Sequence, residues 1–124
     1  MNVAFDVDDT LIIPNVATGF PQDTPNYETI AVFRWFQAQG HHMIIWSGSG
    51  PDYAKAWADK LGLDAEIRVK AVSPDVDIAF DDMRSANLGK VNVTVRRLNN
   101  SISRAVWNKT KGVPEPAKEE GGAA

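Results

Sequence analysis

Short apolar runs, separated by turns and by stretches with helical spacing, make up most of the chain up to residue 95. The runs are too short for helices, and most are rich in Val and Ile, which is typical of buried strands. Five strands are predicted in this way, at residues 2–5, 42–46, 66–72, 77–80 and 91–95. Because helical segments alternate with strands, the pattern predicts an α/β fold with a doubly wound, mainly parallel five-stranded sheet.

The segment between the first two strands divides into a loop and a helix. Residues 14–26 contain three prolines and a glycine but few aliphatic residues, which indicates an irregular loop. At the end of this loop, Thr24 and Pro25 suit the N-cap and the first position of an amphipathic helix. Gly40 is expected to end that helix.

A second helix is predicted between the second and third strands. Pro51 begins it and Gly62 ends it. Its apolar stripe is expected to pack in the core rather than to stack on bases, and consists of Tyr53, Trp57 and Leu61. A short helical turn at residues 85–88 and a last helix around residues 102–106 complete the predicted elements.

The length and the composition of the chain limit the kinds of site it can hold. Its 124 residues fit one domain, expected at residues 1–111, followed by a disordered tail at residues 112–124. The absence of cysteine excludes disulfides, zinc–thiolate sites and thiol nucleophiles. The two histidines, His41 and His42, are adjacent and would face opposite ways on a strand, so a histidine-rich metal site is not expected.

The apolar stretches also bear on location. None approaches the roughly 20 residues needed to span a bilayer. The N-terminus lacks the basic region of a signal peptide. The protein is therefore expected to be cytoplasmic and to have no membrane partner.

Acidic and basic side chains are segregated along the chain. Residues 1–82 contain 13 acidic and 5 basic side chains, whereas residues 83–111 contain 7 basic and no acidic ones. A basic stretch of this kind can face a polyanion such as a nucleic-acid end. It can equally balance an acidic metal site and solvate the surface, and no recognition motif indicates base reading.

Polar residues stand at the ends of four predicted strands. They are Asp6 and Asp8, Ser47, Lys70, and Asp81 with Asp82. Ligands of parallel sheets bind beyond the carboxyl ends of the strands, so these side chains are predicted to converge at one edge. Because clustered carboxylates repel one another and resist desolvation, a cation is expected among them. Oxygen ligands of this kind suit Mg²⁺.

These residue types suit phosphoryl transfer. An ionised Asp is a competent nucleophile towards phosphorus when a metal screens the charge of the phosphate. A second carboxyl group two residues away can donate a proton, because like-charge repulsion favours its protonated form. Ser47 and the glycine after it can offer a hydroxyl and backbone N–H groups to an anion. Lys70 can place a positive charge on both the phosphate and the nucleophile.

Four short motifs follow one another at the predicted strand ends. They are Asp6-Val7-Asp8-Asp9-Thr10, Trp46-Ser47-Gly48, Lys70 and Phe80-Asp81-Asp82. In this order they resemble the four motifs of the haloacid-dehalogenase-like (HAD) phosphatase superfamily. The resemblance spans residues 3–82 and implies a Rossmann-like core.

The resemblance also implies an activity, that of a Mg²⁺-dependent phosphatase with an aspartyl-phosphate intermediate. Asp6 would attack phosphorus and ligate the metal through its other oxygen. Asp8 would ligate the metal through its main-chain carbonyl and serve as the acid and base. Thr10 would position Asp8.

The remaining motifs would hold the phosphate and the metal. By the same resemblance, Ser47 and Gly48 would bind the phosphoryl oxygens, and Lys70 would neutralise both the phosphate and the nucleophile. Asp81 would ligate the metal directly, and Asp82 directly or through water.

Two gaps in the sequence depart from the usual family pattern. Only ten residues separate Lys70 from Asp81, which leaves at most a turn in place of the helix usually found there. The gaps after Thr10 and after Ser47 are too short for a cap domain. A compact, capless member with an open site is therefore expected, and open sites in the family are associated with bulky or macromolecular substrates. A nucleotide or a nucleic-acid end phosphate fits that description, and a phosphorylated small molecule is the other class of substrate left open.

Some assignments leave an alternative open. Ser49 replaces Ser47 if the second strand ends later. Arg68 competes with Lys70, although strand alternation would point both the same way. Asp9 is more naturally a turn former than a catalytic residue.

A different class of protein also uses acids, a Ser or Thr and a Lys at strand ends. This is the phospho-accepting receiver-like module, which signals without turnover. In such domains the acid pair and the acceptor Asp lie on different strands. Asp6 and Asp8 share one strand end, which favours the hydrolase.

Overall fold

The computed structural model describes residues 1–96. In chain order they form β1 (Asn2–Asp6), β2 (Ile12–Ile13), α1 (Asn15–Thr18), β3 (Thr24–Pro25), α2 (Tyr27–Ala38), β4 (His42–Trp46), α3 (Pro51–Leu61), β5 (Glu66–Ile67), β6 (Ile78–Asp81) and β7 (Val91–Thr94). The helix predicted around residues 102–106, the tail and most of the basic segment lie outside the described residues. Within residues 1–96, no helix has the length and apolar character needed to cross a membrane.

Five parallel strands form the central sheet, in the order β5-β4-β1-β6-β7. The predicted α/β fold is confirmed, and the sheet is parallel throughout. β1 lies in the middle and its residues Val3, Ala4 and Phe5 are fully buried, as expected for an apolar run covered on both faces. The register pairs Asp6 with Trp46 and Phe5 with Phe80, which brings the carboxyl ends of three strands level.

Both long helices pack on the same face of this sheet. Ile30 and Phe33 of α2 and Ala54 and Ala58 of α3 share one core cluster with the side chains that β1 and β4 direct to that face. On the other face, Trp46 and its neighbours contact Val76 and Leu88 from loops. No helix among residues 1–96 covers that second face, so the second layer of a doubly wound sheet is not seen in the described part of the chain.

Helix α2 begins two residues later than the sequence predicts. Thr24 and Pro25 pair with β2 in a small antiparallel ribbon, so the backbone there is extended and cannot begin a helix. The N-cap is Asn26, whose side chain accepts a hydrogen bond from the N–H of Thr29 at 3.5 Å. The assignment of Thr24 as N-cap was therefore wrong. The predicted stop at Gly40 is confirmed by its positive φ of 87°.

Strand β5 is much shorter than the predicted strand at residues 66–72. Its pairing partner β4 ends at Trp46, so residues beyond Arg68 cannot continue the pairing with β4. The chain then runs as a loop to β6 without a helix, as the spacing between Lys70 and Asp81 predicts. The predicted helical turn at residues 85–88 is also absent from the structure.

Candidate functional site

The carboxyl edge of the sheet carries a cluster of three acids. Asp6 ends β1 and Asp81 ends β6, and both are almost fully buried, at 4% and 2% exposed. Asp82 follows and is exposed. One carboxylate oxygen from each of the three lies within 4.8 Å of the others. The predicted convergence of Asp6 with Asp81 and Asp82 is therefore present in the structure.

Lys70 lies between the two buried acids. Its Nζ donates a hydrogen bond to Asp6 Oδ1 at 3.2 Å and forms an ion pair with Asp81 Oδ2 at 2.7 Å. Arg68 points elsewhere and pairs with Glu66 and Asp75. The expectation that both cations point the same way was wrong, because residues after β5 lie in a loop where strand alternation no longer applies.

Two acids at this edge, Asp6 and Asp82, hold their protons more tightly than usual. Burial, and then the charge of Asp81, raise the pKa of Asp6 to about 7 although Lys70 opposes them. The pKa of Asp82 is also raised, by the partial desolvation of its carboxylate and by the charge of Asp81. Burial alone would lower the pKa of Lys70, but its hydrogen bond to Asp81 and the charge of Asp6 raise it overall. One ammonium group thus compensates the three carboxylates only in part.

The donor set of this cluster fits a hard divalent cation. Three carboxylate oxygens converge from two neighbouring strand ends, and Mg²⁺ prefers oxygen ligands. Asp6, Asp81 and Asp82 are the residues that would hold it. The carboxylate of Asp8 is not a member of this group.

Asp8 lies in a tight turn after β1. The backbone N–H groups of residues 10–12 all donate to the carbonyl of Val7, and Asp9 has the left-handed φ of 59° that such a turn requires. This agrees with the interpretation of Asp9 as a turn former. The half-buried Asp8 accepts a hydrogen bond at Oδ1 from the hydroxyl of Tyr53 at 2.6 Å.

Thr10 is fully buried under the same turn. Its Oγ1 has no hydrogen-bond partner among residues 1–96. The contact to Asp8 that the family resemblance implies for Thr10 is therefore not made in this structure.

The turn after β4 carries Ser47 and Gly48. Ser47 is buried and follows Trp46, the register partner of Asp6, so it lies at the same edge as the acids. Its Oγ accepts a hydrogen bond from the N–H of Ser49 at 3.0 Å, which leaves its own O–H group able to donate. Ser49 itself is exposed, and β4 does not extend to it. Of the two serines, Ser47 is the one at the strand end.

Tyr53 is the site residue that sequence reasoning missed. The stripe of Tyr53, Trp57 and Leu61 does pack against the core, as predicted. The hydroxyl of Tyr53, however, reaches beyond the core to Asp8. One signal was available in the sequence, since a tyrosine in the first turn of the helix after Ser47 lies near the same edge of the sheet.

Comparisons of the chain with protein-family models, with characterised proteins and with solved structures give no significant match. The functional interpretation therefore depends on the motifs and on the geometry of the site.

Proposed function

We propose that this protein is a Mg²⁺-dependent phosphomonoester hydrolase of the HAD-like type, with Asp6 as the nucleophile. The observation that carries the proposal is the position of Asp6, which is buried at the end of β1. Lys70 Nζ lies 3.2 Å from Asp6 Oδ1, and one carboxylate oxygen each of Asp81 and Asp82 lies within 4.8 Å of an Asp6 oxygen. A nucleophilic carboxylate, a cation and further oxygen ligands are the parts that phosphoryl transfer to an Asp requires.

The proposed reaction has two steps. A carboxylate oxygen of Asp6 bonds to phosphorus, the bond from phosphorus to the leaving oxygen breaks, and Asp8 gives that oxygen its proton. Asp8 then takes a proton from water, the water oxygen bonds to phosphorus, and the bond to Asp6 breaks to release phosphate. After the second step, Asp6 and Asp8 have returned to their starting states.

The other residues bind and compensate charge. Lys70 neutralises the phosphoryl group together with Asp6, and Ser47 and Gly48 donate hydrogen bonds to phosphoryl oxygens. Asp81 and Asp82 would complete the metal site with Asp6, and Asp8 would contribute its main-chain carbonyl. Bound Mg²⁺ would supply charge neutralisation at the phosphoryl oxygens.

The substrate is proposed to be bulky, such as a nucleotide or a nucleic-acid end phosphate. Residues 7–41, between β1 and β4, contain β2, α1, β3 and α2, and residues 47–65, between β4 and β5, contain α3. Connections of this size support the proposal of a site without a cap domain. A site without a cap is open to large leaving groups.

The proposal is tested by release of inorganic phosphate with and without Mg²⁺. The substrates are p-nitrophenyl phosphate, nucleotides, sugar phosphates, and 3′- or 5′-phosphorylated oligonucleotides. Hydrolysis of at least one substrate should require Mg²⁺ and should be lost in Asp6→Asn. Asp59→Asn, an exposed acid paired with Lys55 on α3, is the matched control and should keep the activity.

Two results would overturn the proposal. One is Mg²⁺-dependent activity that persists in Asp6→Asn. The other is a stable phosphoaspartate with no release of phosphate, which would favour the receiver-like module instead.

A further inference from the structure

We propose that Tyr53 is the positioning residue for Asp8, which it holds through one oxygen so that the other oxygen faces the leaving group. This inference rests on the proposed function, because it assigns a role within that reaction. It concerns a side chain that none of the four motifs includes.

The contact itself is short and directed. The hydroxyl of Tyr53 donates to Asp8 Oδ1 at 2.6 Å, within the range of strong hydrogen bonds between a hydroxyl and a carboxylate. Since this bond occupies Oδ1, Oδ2 is the oxygen that remains for the leaving group. Without such a bond, a side chain on a turn would sample several orientations.

Tyr53 is itself held in place. It lies in the first turn of α3, and its ring packs against the core cluster. Trp57, one turn further along α3, packs against the same core cluster. The hydroxyl of Tyr53 can therefore act as a well-placed donor to Asp8. A positioning group needs this kind of independent support.

Thr10, which the family resemblance puts in this role, makes no such contact. Its Oγ1 is buried without a hydrogen-bond partner in the described part of the chain. In this protein the function of that threonine is therefore assigned to Tyr53, which approaches Asp8 from α3 instead of from the same turn.

This role of Tyr53 predicts that the effect of its hydroxyl on the reaction rate depends on the leaving group of the substrate. When Asp8 gives its proton to the leaving oxygen, it becomes a carboxylate, and the hydroxyl of Tyr53 stabilises that charge. A leaving group that departs readily as an anion needs little protonation. A poor leaving group needs the proton, so its reaction should depend on Tyr53 much more.

The test compares phenyl phosphate, which has a poor leaving group, with p-nitrophenyl phosphate, which has a good one. In Tyr53→Phe, kcat for phenyl phosphate should fall about tenfold or more, and the fall for p-nitrophenyl phosphate should be clearly smaller. KM should change little for either substrate. Tyr27→Phe, the same substitution at an exposed tyrosine that begins α2, is the matched control. Thermal unfolding confirms that each variant is folded.

Several outcomes would overturn the inference. An equal fall for both substrates would indicate a merely structural role, and no fall would indicate no role. A selective loss in Thr10→Val but not in Tyr53→Phe would return the positioning role to Thr10. In each of these cases Asp6→Asn remains inactive, so the proposed function stands alone. If the wild-type protein hydrolyses neither substrate nor any other in the panel, both proposals fail together.

Discussion

Lys70 is the side chain that most directly opposes the repulsion between the acids at the sheet edge. Its ammonium group contacts both Asp6 and Asp81, and it limits the rise in the pKa of Asp6 that burial causes. In the proposed reaction the same group faces the phosphoryl oxygens. Replacing Lys70 by a neutral residue should therefore lower the rate of phosphate release more than it lowers the stability of the fold.

Lys70→Met should lower the rate of phosphate release by roughly 100-fold or more, the usual effect of losing one well-placed charge or donor at a phosphoryl or oxyanion site. Lys90→Met is the matched control, since Lys90 is exposed and pairs with Asp77 near the start of β6. Steady-state kinetics of both variants check the prediction. A Lys70→Met protein within about threefold of wild type would contradict the role given to Lys70.

The positions of the charged residues of the site could be predicted from the sequence better than the contacts of its neutral residues. Asp6 and Asp81 could be predicted because a charged side chain at the end of a buried apolar strand needs an opposite charge or a ligand to offset its desolvation. Lys70 lies in the loop after β5, and its assignment came from the order of the motifs. Tyr53 could be placed near this edge from the sequence, but the partner of its hydroxyl could not be predicted, because that partner depends on how α3 meets the turn at residues 8–10. The missing contact of Thr10 depends on the same turn.

Among the elements, α2 shows how pairing elsewhere in the chain decides where a helix begins. Thr24 and Pro25 satisfy the local preferences for a helix start, but the ribbon with β2 holds them extended. Asn26 caps the helix instead. β5 shows the same effect, since it stops where its neighbour β4 stops. Neither the start of α2 nor the end of β5 can be predicted from the local sequence alone.

Asn26→Ala should lower the free energy of unfolding by about 1 kcal/mol, because the N–H of Thr29 loses its capping acceptor. Thr24→Val should change it little or raise it, since the buried Oγ1 of Thr24 has no hydrogen-bond partner within residues 1–96. Urea unfolding of the two variants measures both effects. The opposite ranking would restore Thr24 as the N-cap.

For the whole molecule, the alternation of strands and helices was enough to predict the parallel sheet and its carboxyl edge. The alternation did not predict that α2 and α3 would both pack on one face.

The consequence of the acid cluster for the whole protein is a pH-dependent stability. In the metal-free protein, ionisation of the buried Asp6 carboxyl group lowers the stability of the folded state.

The metal-free protein should lose stability as the pH rises from about 4 to about 7. The pKa of Asp6 rises from 3.8 to about 7 on folding, so in this window the folded state binds more protons than the unfolded state. The loss is at most about 4 kcal/mol, since one pKa unit corresponds to about 1.4 kcal/mol. Urea unfolding at several pH values in EDTA measures it.

Asp6→Asn is the control for this pH dependence. It should flatten the curve between the same pH limits, apart from the smaller effect of Asp82, whose pKa is also raised. A wild-type protein whose stability rises with pH through this window would contradict the electrostatics of the site.

The proposed mechanism requires that Asp6 becomes phosphorylated during turnover. The most direct measurement is acid quenching of the enzyme with Mg²⁺ and a hydrolysed substrate, followed by mass spectrometry of its peptides. We expect one phosphoryl group on Asp6, formed and lost at rates consistent with turnover. A phosphoryl group on Ser47 or Asp8, or turnover with no phosphorylated enzyme at any time, would contradict it.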